Sequence, residues 1–263
     1  PKELLVPRGY GKGVKERYGD HFYISTLEEW AFVYDSSVEK LKRQLRVDSL
    51  KGFAIDNFPL GITSAGALLI YLEQTQHKEL TNICSISRID EGAFVWMDRF
   101  TFRNLEIFTS TAGKEGTSLV EVMDKCSSPM GARMLRTWLA MPVMDLKELE
   151  DRYSVVQHFV DNQDDLLRLQ TMIGEIGDLE RIISRAAAGK IMPREVMQLR
   201  RGLSQTDPIM KLCSGKGVQA LDDMMANMGD CAELLDYLGK TMHPETASQL
   251  GKGDVIASGV NEE

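Results

Sequence analysis

The feature that most constrains the fold is a regular spacing of apolar residues between positions 146 and 160. Five of them are separated by steps of three, four, three and four: Leu146, Leu149, Tyr153, Val156 and Val160. Such steps place side chains on one face of an α-helix. Asp145 stands just before the run, where its carboxylate can cap the helix. The spacing therefore predicts a long helix with a continuous apolar seam for a partner helix.

The chain after residue 100 carries similar signals and is predicted to be almost entirely helical. Ser128 before Pro129 marks a helix start, and Pro142 ends that helix. Helices are also expected at 178–188, 193–203, 221–228 and 232–242. Further expected features are a cap at Thr101, a loop at 110–116, a cap at Thr117 or Ser118, an apolar pattern at Leu166, Leu169, Ile173 and Ile176 broken by Gly174 and Gly177, and a strand-like end at 254–260.

The first ninety or so residues mix strands and helices. Pro59 opens a predicted helix that runs to about Gln76, and its apolar run at 65–72 indicates burial. A shorter helix is expected at 38–45. The residues Asp90-Glu91-Gly92 are typical of a hairpin turn. Short strands are expected at four places: 21–25, 50–55, 83–89 and 94–98.

The chain is acidic, and its charge is unevenly distributed. Its 263 residues include 31 basic and 39 acidic side chains, a net charge of −8. Residues 1–100 contain 13 basic and 14 acidic residues, which leaves 18 and 25 for the helical remainder. This balance excludes a protein that holds nucleic acid by overall positive charge. With 43% apolar residues, the chain can bury the core of one large domain or two ordinary ones.

One stretch of the helical part is strongly basic, with Glu195 as its only local acid. Its basic residues are Arg181, Arg185, Lys190, Arg194, Arg200 and Arg201. They either face a phosphate backbone or pair with the acidic helices around Asp164, Asp165 and Glu175 inside a bundle. The second interpretation is favoured, because charge runs more often form internal or solvated ion pairs.

Cysteine and histidine give no sign of a metal site. The four cysteines are far apart, and no Cys-x-x-Cys or His-Glu-x-x-His pattern occurs. We therefore expect reduced, mostly buried thiols in a cytosolic protein and no metal ligands. The residues concerned are Cys84, Cys126, Cys213, Cys231, His21, His77, His158 and His243.

Two glycine-rich segments resemble phosphate loops only superficially. The segment at 9–13 (GYGKG) lacks the preceding strand and following helix that a dinucleotide motif needs, so a flexible loop and a short connector at 14–19 are expected. The segment at 239–241 (GKT) resembles the end of a Walker A motif. However, the first glycine of that motif is replaced by Leu234 within a helical pattern. No cofactor-binding residues are therefore expected.

Acidic pairs give no sign of acid–base catalysis either. Adjacent residues on a helix point about 100° apart, so neighbouring carboxylates cannot converge on one bond. The pairs are Glu28-Glu29, Asp164-Asp165 and Asp222-Asp223. No Ser/His/Asp or Cys/His signature occurs. The sequence predicts no catalytic residues and a protein without enzymatic activity of its own.

The beginning of the chain shows no targeting signal, and no run of about 18 apolar residues predicts a membrane span. The chain starts at Pro1 without an initiator Met, which favours an internal piece of a longer protein. A cytoplasmic location is expected.

Several motifs occur in an order that is itself informative. They are RNLEI at 103–107, SLVEVMD at 118–124, SPMGARMLRTWL at 128–139 closed by Pro142, Arg152, GDLERI at 177–182 with Arg185, and DVIASGVNEE at 254–263. These motifs resemble the core domain of the MutS family of bacterial DNA mismatch-repair proteins. Upstream, GF at 52–53 and AGALLIYL at 65–72 resemble the second half of that family's connector domain.

The resemblance implies a mixed fold in two parts. Residues 1–92 are expected to form the C-terminal half of a connector domain, a small and incomplete α/β portion of RNase H type. Residues 93–263 are expected to form the first part of a mostly α-helical core and lever domain, ending before the clamp. The mismatch-reading domain, the clamp and the ATPase of the family would then lie outside this chain.

The function implied is structural and allosteric. The fragment would couple the absent ATPase to the absent clamp and mismatch-reading domain, and its connector portion would dock MutL. ATP, magnesium, mismatched double-stranded DNA and a second copy of the protein would be bound by the full-length protein; no membrane is involved. The alternative is a free-standing helical protein-interaction scaffold with no role on nucleic acid. Flexibility is expected at the 110–116 loop and the 174–177 break.

Overall fold

The computed structural model describes residues 2–76, 80, 83–89, 91–243 and 253–260. The chain divides into two compact units, Pro1–Ile89 and Asp90–Glu263, called here the first and second units. The first unit contains a small two-stranded sheet with helices, and the described part of the second is mostly helical. This order of a small α/β part and a helical part confirms the predicted fold class.

The first unit begins with two parallel strands joined by a helix. β1 (Glu3–Pro7) pairs with β2 (Tyr23–Leu27) in a register that sets Glu3 opposite Tyr23, which confirms the strand expected at 21–25 with a shift of two residues. α1 (Gly11–Tyr18) lies between them, as part of the crossover connection that parallel strands need. The flexible loop predicted at 9–13 and the connector at 14–19 are therefore wrong.

This β-α-β order removes one reason for rejecting a dinucleotide motif here, since a strand precedes the glycines and a helix follows them. The spacing of the glycines still excludes the motif. After Gly9 and Gly11 it requires a third glycine at position 14, which is Val14. Gly13 instead lies inside α1.

Two helices, α2 (Tyr34–Leu45) and α3 (Pro59–Gln76), hold the core of the first unit. The bounds of α3 agree with the prediction. Gly66 of α3 faces the fully buried Ser37 of α2 so closely that a Cβ at position 66 would lie 2.7 Å from the Cα of Ser37. The main apolar cluster comprises Leu41, Leu45, Leu50, Ile55, Ile62, Leu69 and Leu80.

Two strands predicted in the first unit do not form. At 50–55 the chain makes a 3-10 turn (Lys51–Phe53) that leaves Leu50 and Ile55 both buried in the core. Residues 83–89 have no regular structure. Gln44 of α2 donates to the carbonyls of Leu80 and Ile83, at 2.6 and 2.8 Å, and so fastens the start of this segment to a helix. Apolar alternation here reflects packing on α2 and α3 rather than strand pairing.

The second unit is built from short and medium helices in close succession. They are α4 (Arg99–Asn104), α5 (Leu119–Met123), α6 (Pro129–Ala140), α7 (Leu146–Asp161), α8 (Gln163–Ile176), α9 (Leu179–Ala187), α10 (Pro193–Leu203), α11 (Thr206–Cys213), α12 (Gln219–Ala226) and α13 (Ala232–Thr241). The starts predicted at Ser118, Ser128, Asp145, Asp178 and Pro193 are confirmed.

Several details of the second unit differ from the sequence predictions. Asp98, rather than Thr101, caps α4, since its carboxylate accepts the backbone N–H of Thr101 at 2.7 Å. Gly174 lies within α8 and does not interrupt it, and α11 was not predicted. The strand expected at 94–98 is reduced to one bridge between Phe94 and Val143. A hairpin turn was predicted at 90–92. Asp90 lies outside the described residues, and residues 91–93 make a 3-10 turn instead. The strand-like end likewise reduces to one bridge at Ile256.

The core of the second unit lies between α7, α8, α11 and α12. Ile209, Leu212, Cys213 and Leu221 are buried there, and Val155 and Phe159 of α7 pack against them. The predicted seam of α7 lies on a different face. Four of its members are more than half exposed, at 74, 67, 59 and 55%: Leu146, Tyr153, Val156 and Val160. The helix is confirmed, but its seam meets no partner helix in the described part of the chain.

Candidate functional site: a helical junction centred on Arg133

Arg133 of α6 forms the most extensive ion-pair cluster of the described residues. Its Nη1 and Nη2 donate to the two carboxylate oxygens of Asp178, at 2.9 and 2.6 Å. Its Nε and Nη2 also donate to Glu180, at 3.0 and 2.6 Å. A planar guanidinium suits this double recognition, because its donors match the geometry of a carboxylate. Arg133 thereby links α6 to the start of α9.

Asp178 has a second role at the same position. Its side chain caps α9 by accepting the backbone N–H of Arg181 at 3.4 Å, and only 18% of it is exposed. The hydrogen bonds from Arg133 are the largest cause that holds the pKa of Asp178 below its ordinary value. The carboxylate therefore stays ionised while it serves both the helix end and the neighbouring helix.

The turn between α8 and α9 is also held from the side of α10. Gly177 adopts a positive φ of 74°, and a Cβ there would approach the Nε2 of Gln198 to 2.9 Å. Gly202 lies so close to the turn that its Cβ would be 2.5 Å from the carbonyl oxygen of Ile176. Four helices, α6, α8, α9 and α10, therefore meet at the segment where flexibility was predicted.

The other segment predicted to be flexible, 110–116, is tied to Glu106. The carboxylate of Glu106 accepts the backbone N–H of Thr111 at 2.6 Å and also its hydroxyl. These bonds lower the pKa of Glu106. Residues 106 and 107 in turn accept the backbone N–H groups of Leu119 and Val120, at 2.9 and 3.0 Å. Both segments thus have defined contacts, and their flexibility stays a prediction.

The basic stretch does not pair as expected. Asp165 binds Lys216 at 2.7 Å, and Glu175 accepts from Gln205 at 2.9 Å, so the favoured internal pairing with these acids is wrong. Arg185 instead pairs with Glu195 at 2.9 Å, inside the stretch itself. Arg181 lies 3.4 Å from Asp178. Asp165 and Glu175 thus have partners outside the basic stretch, and among the described residues Asp164 forms no ion pair with it.

The remaining chemistry-bearing residues stay dispersed. Within the described ranges, no group of three or more His, Cys, Asp or Glu side chains is placed to hold a metal ion. Gly239 lies inside α13 against the guanidinium of Arg200. The thiols are not mostly buried as expected: Cys213 is buried, Cys231 is half-buried, and Cys84 and Cys126 are exposed.

The described part of the chain has no helix that is both long enough and apolar enough to cross a bilayer.

Sequence reasoning missed Arg133 as the centre of a cluster. Its partners stand 45 and 47 residues further along the chain, and no local spacing links them. Two partial signals exist in the sequence. Asp178 was expected to start a helix, and Arg133 and Asp178 belong to the motifs at 128–139 and 177–182 that resemble the MutS family.

Comparison with known proteins assigns a family to the chain. Residues 1–84 match the family model of MutS domain II, and residues 100–259 match that of MutS domain III. The DNA mismatch repair proteins MutS of Parabacteroides distasonis, Flavobacterium psychrophilum and Christiangramia forsetii are 41, 40 and 41% identical over 263 residues. All of this chain is covered in each case, but it spans only 30% of the length of each relative. The chain therefore belongs to the MutS family of DNA mismatch-repair proteins.

Proposed function

We propose that this chain is the connector-and-core segment of a mismatch-recognition protein and has no catalytic activity of its own. The observation that carries the proposal is the consecutive match to domains II and III over nearly the whole chain. ATP and magnesium would be bound by parts of the full-length protein outside this segment.

The role proposed for the helical unit is mechanical coupling between distant sites. Coupling requires packed, stiff elements that both sites can bias. The junction around Arg133 supplies such an arrangement, since one side chain joins α6 to α9 while α10 abuts the same turn. Loss of Arg133 would uncouple α6 from α9 without removing any reacting group.

The proposed partners are those of the whole protein. The full-length molecule would bind mismatched double-stranded DNA and pair with a second copy, and the first unit would dock MutL. The location is the bacterial cytoplasm, on chromosomal DNA.

A chimera tests this proposal directly. The matching segment of Parabacteroides distasonis MutS is replaced by these 263 residues, and the mutation frequency is measured in cells that lack their own MutS. Because the segments are 41% identical throughout, we expect the chimera to restore a low mutation frequency. Arg133→Ala in the chimera should raise it, while Arg136→Ala, an exposed change on the same helix, should not.

The second candidate is a free-standing helical interaction scaffold, and the exposed apolar face of α7 is the observation that favours it. A stably expressed chimera that leaves mutation frequency as high as in cells without MutS would support this alternative and contradict the first proposal.

A further inference from the structure

Three exposed basic residues on or beside α10 have no acidic partner. Lys190, Arg194 and Arg201 are exposed, and no carboxylate among the described residues lies within 4 Å of their charged groups, whereas Arg181 and Arg185 have such partners. Lys190 lies in the turn before α10, and its backbone carbonyl accepts a hydrogen bond from the guanidinium of Arg185 at 3.3 Å. The charge that remains on this face is therefore +3.

Most acids on α10 and on the helices that pack against it are bound to other partners. Glu195 accepts the backbone N–H of Met192 with one oxygen and binds Arg185 with the other, both at 2.9 Å. Acids on the helices that pack against α10 are bound in the same way. Glu175 of α8 accepts a hydrogen bond from Gln205, Glu180 of α9 forms an ion pair with Arg133, and Asp236 of α13 forms one with Lys240. None of these carboxylates can neutralise the exposed face without giving up its present partner.

The exposed side of α10 has the geometry of a linear contact surface. Arg194, Gln198 and Arg201 are its exposed residues, and they follow one another by four and three positions. On a helix such positions fall within an arc of about 60°, and the two arginines are about 10 Å apart along the axis. Duplex DNA carries one charge per about 1.7 Å of its axis, so both arginines can contact phosphates of one duplex.

We propose that the face formed by Lys190, Arg194, Gln198 and Arg201 contacts the phosphate backbone of duplex DNA. This inference rests on the proposed function, which makes DNA the polyanion that the protein meets. The face has no exposed apolar residue on α10, whereas protein interfaces need an apolar core. Lys, Arg and Gln are side chains that bind phosphates without reading sequence.

The contact is local and weak, because the whole chain has a net charge of −8. Binding is therefore expected at low salt, with equal affinity for matched and mismatched duplexes. Each phosphate neutralised adds about −0.9 to the slope of log K against log salt, so three contacts give a slope of about −3.

The test is fluorescence anisotropy of the 263-residue chain with a labelled duplex of about 30 base pairs, titrated between about 20 and 200 mM salt. The double variant Arg194→Ala/Arg201→Ala should weaken binding of matched and mismatched duplexes alike and bring the slope to about −1. Lys125→Ala/Lys147→Ala makes the same charge change at exposed, unpaired positions of the same unit and should leave both quantities near wild type. Circular dichroism melts check that both variants are folded.

Three results would overturn the inference: no binding by the wild-type chain at the lowest salt, a titration of the arginine variant that matches wild type, or equal losses in the two double variants. The chimera separates this failure from that of the proposed function. A chimera that restores repair, together with an arginine variant that binds DNA like wild type, rejects only the DNA-contacting face.

Discussion

The two units differ in how completely each buries its own apolar residues. Among the described residues, twelve buried apolar side chains lie in the first unit and ten in the second, which is nearly twice as long. None of the residues of α6, α7 or α8 is fully buried. The first unit thus closes around its own core, while the central helices of the second keep one face open.

The two units are therefore sensitive to different kinds of substitution. In the first unit, two helices approach so closely that a single methyl group has no room. In the second, stability depends on which face of a helix a residue occupies and on polar links between helices.

The largest effect is expected where α2 and α3 touch. In Gly66→Ala the added methyl would overlap the side chain of the fully buried Ser37. Overpacking of this kind costs about 2 kcal/mol of unfolding free energy. Thermal melts and hydrogen exchange of residues 59–76 measure the loss, which should be confined to the first unit.

Gly61→Ala is the matched control on the same helix. A Cβ there would meet only the Phe58 side chain, at an ordinary 3.5 Å, and position 61 is exposed. Position 61 lies in the first turn of α3, so replacing its glycine by alanine should stabilise the helix by at most about 0.5 kcal/mol. If both alanines changed the melting temperature in the same direction, the close approach of α2 and α3 would be contradicted.

The sequence predicts helix bounds well, because these are encoded locally. Pro59, Ser128, Asp145, Asp178 and Pro193 each begin or cap a helix at the expected position. A capping oxygen or a proline acts within one turn of the chain, so its effect can be read without knowledge of the tertiary structure.

The errors concern features that depend on distant residues. The apolar alternation at 83–89 resembles a strand, yet no partner strand exists in the described part and Gln44 fastens its start to α2. The seam of α7 is periodic, but periodicity does not tell whether the partner lies in the same chain. The pairs of Arg133 join positions 45 and 47 residues apart, beyond any local pattern.

The second prediction compares two neighbouring valines of α7. Val155 packs against the core of the second unit, while Val156 belongs to the seam and is 59% exposed. Val155→Ala should cost about 1 kcal/mol through lost apolar burial, and Val156→Ala should stay within about 0.5 kcal/mol. Urea denaturation of the two variants measures both values.

Equal losses for the two valines would break the comparison between the units, because the seam would then be covered within the chain or by a second copy. Sedimentation of the wild-type chain at several concentrations distinguishes these two cases. A concentration-independent monomer with equal losses would contradict the exposed face of α7.

The smallest effect is expected at Arg133, and it should depend on pH. The folded-state pKa of Asp178 lies below its ordinary value of 3.8, so its contribution to stability is complete above that value and is lost as the pH falls through the folded-state pKa. Arg133→Ala removes the largest cause of this shift. The variant should melt below wild type at about pH 7, and the two curves should converge in acid once the pH has fallen below the folded-state pKa of Asp178. Arg136→Ala, without an ion pair within 4 Å among the described residues, provides the baseline. A difference between wild type and Arg133→Ala that persisted unchanged into acid would show that Arg133 stabilises α6 by packing rather than by its bonds to Asp178.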